Sequence, residues 1–247
     1  MLEREYIFQK LNEGVISERM EAFRRNLKKN TGLIKKHGGL APVVPALKGK
    51  TVIITGAGPS LGRALLSLKR YQHREQIVMI AVDMALRPLI SAGIRPEYVI
   101  TCETVPVDYF GGIDSTGIEL LAFSCASNLN IRRWRGGVRF YNWMINESGY
   151  ESLWETAGRE LGFLATGSVV TTQAVSLALG CEIEGLLLCG NDLGFSSDFY
   201  CRGTVRHAEN IRRAGRFSTP ETADLNTVMK RRTCEIIRDG HRYYSDN

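Results

Sequence analysis

A doubly wound α/β architecture, with a mostly parallel sheet, helices on both faces and a helical arm in front, is expected for these 247 residues. The expectation rests on a set of short runs: "TVIIT" (51–55), "IVMIAVD" (77–83), "YVITCE" (98–103), "ELLAF" (119–123), "VRFYN" (138–142) and "GLLLCG" (185–190). They are β-branched or apolar and lack the in–out alternation of a half-exposed sheet, so helices should cover both faces. Helical patterns at 60–71, 85–92 and 168–179 separate several of them, the alternation that builds a parallel sheet. In such a fold ligands gather beyond the carboxyl ends of the strands, so the residues after each run carry the interest.

Ahead of the first strand, Met20, Phe23, Leu27 and Ile34 recur at intervals of three, four and seven, one face of a helix from Ser17 to His37 with Ser17 as its N-cap. Gly38 and Gly39 end it, and "LAPVVPALKG" reads as an extended, proline-bearing approach to the core. The divisions expected are a helical arm and linker over 1–46, a Rossmann-like core over 47–220 and a basic helix over 221–247. The tail from Thr222 to Asp239 has the pattern of a basic amphipathic helix, and "HRYYSDN" reads as the start of an element cut short.

A hydrophobic content of 44% is enough to bury a substantial core. The opening "MLEREYIFQK" has no apolar signal-peptide region, and no stretch of about 18 apolar residues occurs, so a cytoplasmic chain with no membrane span is expected. The net charge of +6 comes from basic residues at the two ends rather than along an aromatic-studded platform, which sets nucleic acid aside as a partner. Those ends are either solvated helix faces or a lure for an anionic substrate or acidic partner. The six cysteines show no C-x-x-C pair and read as reduced thiols.

The stretch "TGAGPSLGR" (55–63) follows the first strand and admits two readings. One is a dehydrogenase fingerprint with Asp83 as the ribose acid, near the ~20-residue separation of a dinucleotide site. It fails at Ser60, where that fingerprint needs glycine, and no tyrosine in the core has a lysine four residues on. In the other, Pro59 fits a helix's first turn and Ser60 caps the helix or donates to a phosphate, so Gly56, Gly58, Pro59 and Ser60 form an anion site at a helix start.

Together with "IAVDMALRPLISAGIRPEYVITCET" and "GSVVTTQAVSLALGCEIEGLLLCGNDLGF", this turn resembles the family of flagellin-modifying motility accessory factors and archaeal 6-hydroxymethylpterin diphosphokinase-like proteins. The resemblance spans about Leu47 to His207 and is carried by four separated motifs in order. It extends distantly to bacterial sialyltransferases, which share the Gly-x-Gly-Pro-Ser turn and a later Leu-Cys-Gly-x-Asp. It implies a nucleotide-binding transferase that moves a nonulosonic, sialic-acid-like sugar from a CMP-activated donor to a Ser or Thr hydroxyl of a protein such as flagellin. By the same resemblance Asp192 orients the acceptor or a metal and His207 is the base, though a surface histidine without chemistry is an equal reading. Pyrophosphoryl transfer from ATP to a hydroxymethyl pterin is the rival activity, and a module that binds nucleotide or partner without turnover is the third.

Glu103 stands where the family has Asp, lengthening the carboxylate by a methylene. Asp83, Glu103 and Asp192 all emerge at carboxyl ends of strands, where Asp83 and Glu103 would hold the ribose or a divalent ion; three acids near one phosphate site need a compensating charge, from Mg²⁺ or from Arg and Lys side chains, and the alternative for Glu103 is a turn cap. "ATGSVVTTQAV" offers a second helix start at Thr166, Gly167 and Ser168, suited to a phosphate or sugar carboxylate, or else an ordinary N-cap. In the aromatic cluster from Trp134 to Trp154, Tyr141 and Trp143 either stack on a base or pack in the core.

Overall fold

The computed structural model describes residues 3–145, 149–167, 169–195, 198–216, 219, 222, 236–239 and 242–245. Helix α1 (Glu3–His37) begins well ahead of Ser17. Its Phe23, Leu27 and Ile34 are buried in the same core as the sheet. Within that apolar face lie two buried asparagines one turn apart. The Asn26 amide donates to the Thr104 and Cys125 carbonyls at 2.9 and 3.1 Å, and that of Asn30 to the Ser124 and Ala126 carbonyls at 3.0 and 2.9 Å. α1 therefore anchors loops at the carboxyl end of the sheet. Asn30→Ala strands two buried carbonyls and is expected to cost about 2–3 kcal/mol, read as a lowered urea midpoint.

The proline-bearing approach is not extended throughout: Val43–Leu47 forms α2. Pro42 stands at its N-cap and Pro45 in its first turn, where a missing N–H leaves no bond unmade, while Val43 and Leu47 are buried one turn apart.

Then follow β1 (Thr51–Thr55), α3 (Ser60–Lys69), β2 (Ile77–Val82), α4 (Asp83–Ser91), β3 (Tyr98–Thr101), β4 (Glu119–Phe123), α5 (Asn128–Arg133), β5 (Val138–Met144), α6 (Glu151–Ala157), β6 (Phe163–Ala165), α7 (Thr171–Leu179) and β7 (Gly185–Cys189). Each expected strand is present, joined by the short β6 that three residues were too few to announce. All pairs are parallel, in the order β6-β5-β4-β3-β2-β1-β7. The fold is α/β and Rossmann-like. From β1 the chain steps strand by strand to β6, then α7 carries it back across the sheet so that β7 pairs on the other side of β1. The strand order thus reverses at β1, and a crevice opens there beyond the carboxyl ends.

Beyond the sheet come β8 (Gly194–Phe195), α8 (Val205–Arg213), β9 (Ile236–Asp239) and β10 (Arg242–Ser245), the three strands forming a separate antiparallel sheet in the order β8-β10-β9. The basic helix expected to reach Asp239 is corrected at that end, where Ile236–Asp239 pairs with β10. The β-branched Ile236 and Ile237, opposite Ser245 and Tyr244, favour the strand. Most of the expected helix lies outside the described residues. Among the described residues no helix is long and apolar enough to cross a membrane.

Candidate functional site

The crevice forms where two loops meet. β1 and β7 run in register to Thr55 opposite Cys189, and the chain then turns at Gly56–Gly58 on one strand and Gly190–Asp192 on the other. The two turns are laced together: the Gly56 N–H donates to the Cys189 carbonyl at 2.7 Å and the Gly58 N–H to the Gly190 carbonyl at 2.8 Å. A β-carbon at Gly56 would lie 2.3 Å from both Asn191 Oδ1 and the Gly190 carbonyl oxygen, and one at Gly58 would lie 2.1 Å from Asp192 Oδ2. Close approach between two loops, rather than approach to a ligand, therefore requires these glycines.

The next N–H is also engaged. Ser60 begins α3 behind Pro59, and its N–H donates to Asp192 Oδ2 at 3.1 Å. The N–H groups of Gly56, Gly58 and Ser60 thus all serve the β7 loop in this structure, and a carboxylate of this chain lies at the helix start, where a negative charge is electrostatically favoured. Beside that contact, Ser60, Arg63 and Ala64 of α3 face Leu188–Asp192 across an open groove.

Asn191 is the hub that sequence reasoning passed over. Its amide donates to the Ile54 and Cys189 carbonyls at 3.3 and 3.2 Å, and its Oδ1 accepts the Thr171 hydroxyl at 2.8 Å. Thr171 opens α7, so the second helix start foreseen in the sequence is fastened through this one side chain to the ends of β1 and β7. Thr166 and Gly167 lie just ahead of it; Thr166 Oγ1 accepts the Gln173 amide at 3.4 Å, and Gly167 packs on Thr172. Ser168 lies outside the described residues. The only signal for Asn191 was its position between Gly190 and Asp192 at a strand end.

One strand over, Asp83 opens α4 at the end of β2 and is 6% exposed. Its Oδ2 accepts the Thr101 hydroxyl at 2.7 Å and its Oδ1 the Met84 N–H at 2.8 Å. Burial pushes its pKa up from 3.8 to about 6 and the charge of Glu103 adds to the rise, against the pull of the Thr101 and Met84 hydrogen bonds. Glu103, past the end of β3, accepts the Val105 N–H at 2.9 Å and the Tyr109 hydroxyl at 3.1 Å. It therefore caps a turn and faces Asp83 at the same time. Burial, reinforced by the charges of Asp83 and Glu103, raises the Tyr109 phenol, and Arg206 of α8 acts on that phenol in the opposite sense. Tyr109 and Arg206 were not foreseen. Burial likewise drives the Cys102 and Cys125 thiols up to about 12, so these cysteines are poor nucleophiles.

The three acids do emerge from one sheet, but they do not gather. β2 and β7 flank β1, two strand spacings or about 9–10 Å apart, and β3 is one spacing further. Among the described residues no group of three or more His, Cys, Asp or Glu side chains could hold a metal ion. A single Mg²⁺ shared by Asp83, Glu103 and Asp192 does not fit this arrangement.

His207 stands in the first turn of α8, its N–H donating to the hydroxyl of the N-cap Thr204 at 3.2 Å. The acid beside its imidazole is Asp198, with Nε2 3.9 Å from Oδ1. α8 packs on α4, the helix that Asp83 opens. Tyr141 and Trp143 are core residues: the Tyr141 hydroxyl is buried against the Thr101 carbonyl and Gln173, and Trp143 stacks on Phe123 with ring centroids 4.0 Å apart.

Comparison with known proteins adds a family to this geometry. Among solved structures the chain is similar to the MAf glycosyltransferase from Magnetospirillum magneticum AMB-1, with a TM-score of 0.50 and 22% identity over 60% of this chain and 24% of that one. The likeness is one of fold, and the chain spans about a quarter of that protein's length. No curated protein matches the chain. The family model described as 6-hydroxymethylpterin diphosphokinase MptE-like matches residues 22–198, most of the chain and both walls of the crevice, so the chain belongs to the MptE-like family.

Proposed function

We propose that the chain is a nucleotide-dependent group transferase of the glycosyltransferase kind. The observation that carries this reading is the convergence of two helix starts, those of α3 and α7, on the end of β7 at the reversal of the strand order. A ligand with two polar ends, a nucleotide joined to an acidic sugar, suits such a crevice. The anionic linkage would lie at Ser60, with Arg63 one turn on along the groove and Gly56, Gly58 and Pro59 shaping the bend. Asp83 and Glu103 would hold the ribose, and Thr166, Gly167, Ser168 and Thr171 the far end of the sugar.

In the reaction we envisage, the hydroxyl oxygen of a polypeptide Ser or Thr forms a bond to the anomeric carbon as the bond to CMP breaks. CMP leaves with that electron pair, and the hydroxyl proton passes to His207, whose charge the nearby Asp198, with Oδ1 3.9 Å from Nε2, would then offset. Asp192 would orient the acceptor. The fold of the MAf glycosyltransferase supports the reading, as does the switch-point crevice.

The description of the family favours a second reading, pyrophosphoryl transfer from ATP to a hydroxymethyl pterin. Calorimetric titration separates the two. Cytidine nucleotide bound with or without Mg²⁺ is the expected outcome, adenosine nucleotide bound only with Mg²⁺ would favour the diphosphokinase, and failure of both would overturn the nucleotide reading. Binding of CMP-sugar with no product from any hydroxyl acceptor would mark a binding module instead.

A further inference from the structure

We propose that Asn130 reads the base of the nucleotide, its carboxamide pairing with the donor–acceptor edge of an amino-bearing ring. This inference rests on the nucleotide reading given above and deepens it by one subsite. Asn130 is the third residue of α5 and is 1% exposed, yet neither its Oδ1 nor its Nδ2 has a hydrogen-bond partner. The other buried side-chain amides among the described residues, those of Asn26, Asn30, Asn142 and Gln173, are all engaged. A buried amide left unpaired costs stability that an apolar group of the same shape would not, so the one exception points to a partner from outside the chain.

The place of the amide in the fold says which partner. Ser127, Asn130 and Arg133 are spaced three apart and share one side of α5. The Ser127 N–H donates to the Glu103 carbonyl at 2.7 Å and the Arg133 guanidinium pairs with Asp108, so Asn130 between them is turned toward the segment from Glu103 to Asp108. That segment borders the crevice past the end of β3. Counted outward from β1, on strands about 4.8 Å apart, the sheet presents the glycine bend, then Asp83 after β2, Glu103 after β3 and Asn130 after β4. Phosphate, ribose and base follow one another in the same order along a nucleotide. A carboxamide holds its acceptor and its donors in one plane, which matches the ring nitrogen and exocyclic amine of cytosine or adenine. Val105, 58% exposed, and the exposed Pro106 form the outer part of the segment, between Thr104, tied to Asn26, and the buried Tyr109. A shift confined to these outer residues would admit the ring.

The test titrates CMP, AMP and ribose 5-phosphate calorimetrically into the parent chain, Asn130→Leu and Asn130→Ala. The parent is expected to bind one of the two nucleotides more tightly than ribose 5-phosphate, and which one it prefers tells cytosine from adenine. In Asn130→Leu that nucleotide should bind at least about tenfold more weakly, with ribose 5-phosphate unchanged. Without ligand the same variant should match or exceed the urea midpoint of the parent, because an apolar group of similar shape replaces an unpaired amide. Asn130→Ala supplies the affinity measurement if leucine is too bulky to fold. A lowered midpoint with the preference for the nucleotide intact would mark a structural amide and overturn the proposal, as would equal weakening of ribose 5-phosphate. A parent that binds ribose 5-phosphate as tightly as either nucleotide overturns it too, and leaves a sugar-phosphate site standing. Binding of none of the three by the parent would sink the nucleotide reading and this proposal with it.

Discussion

Gly190→Ala should lower the stability of the chain by about 3–5 kcal/mol, enough to unfold much of a typical domain. Two costs add at this position. The residue sits at φ +72, a conformation that costs an L-residue roughly 1–2 kcal/mol. The new β-carbon would also lie 2.4 Å from the Gly56 carbonyl oxygen and 2.8 Å from Leu61 Cβ. The first of these is backbone, held by the lacing between the two turns, so relief requires the turns to part. Gly62→Ala is the matched control: it lies inside α3, its nearest neighbour would be Cys201 Sγ at 3.7 Å, and it should gain about 0.5–1 kcal/mol from helix propensity. Urea denaturation of the two variants beside the parent measures both. A Gly190→Ala protein as stable as the parent would mean that the loops do not approach as described.

Asp83→Asn is expected to act in the opposite direction, stabilising the chain at neutral and alkaline pH. The folded pKa of about 6 lies above the unfolded value of 3.8, so folding disfavours the ionised carboxyl. The penalty is absent below about pH 4, develops between pH 4 and 6, and is full above that window, where it approaches about 3 kcal/mol. Asparagine removes it while keeping an oxygen for the Met84 N–H, and the Thr101 hydroxyl can turn to accept from the new amide. The variant should therefore gain most at pH 8 and little at pH 4, with the parent's decline through pH 4–6 flattened. Denaturation at both ends of the range decides it, and a variant less stable than the parent at pH 8 would refute the account. Carboxyls whose ionisation is disfavoured in this way cluster at functional sites, which supports the role proposed for Asp83.

The sheet was legible because β1 to β4 are buried on both faces and read as unbroken apolar runs, whereas the edge strand β7, equally apolar in sequence, leaves Leu187 and Leu188 exposed. The reversal of strand order was not legible, since nothing in "GLLLCG" says on which side of β1 it will pair. Pro59 and Ser60 marked where α3 starts, although Pro59 rather than Ser60 is the N-cap, yet the partner of the Ser60 N–H lies far along the chain, and no local pattern reports so distant a contact. Asn191 and Asp192 fall under the same limit. The asparagines of α1 left a fainter trace: the interval from Leu27 to Ile34 in the apolar stripe is where Asn30 sits, and a polar residue on a buried face implies backbone to satisfy. The proline-bearing approach misled because proline was weighed as a helix breaker, whereas in a first turn it breaks nothing.

The pairing of Thr51 with Gly185 also sets when the crevice can come into being. β1 through β6 can assemble by neighbouring pairings as the polypeptide emerges, but the wall contributed by β7 must wait for a loop closure spanning most of the molecule, a slow and entropically costly step. The groove is therefore expected to form late in folding, which time-resolved refolding followed at the β1–β7 pairing would check. Until that closure the β1 edge stays uncovered and the groove lacks one wall, so the proposed ligand, if it binds there, would report the last event of maturation rather than the first.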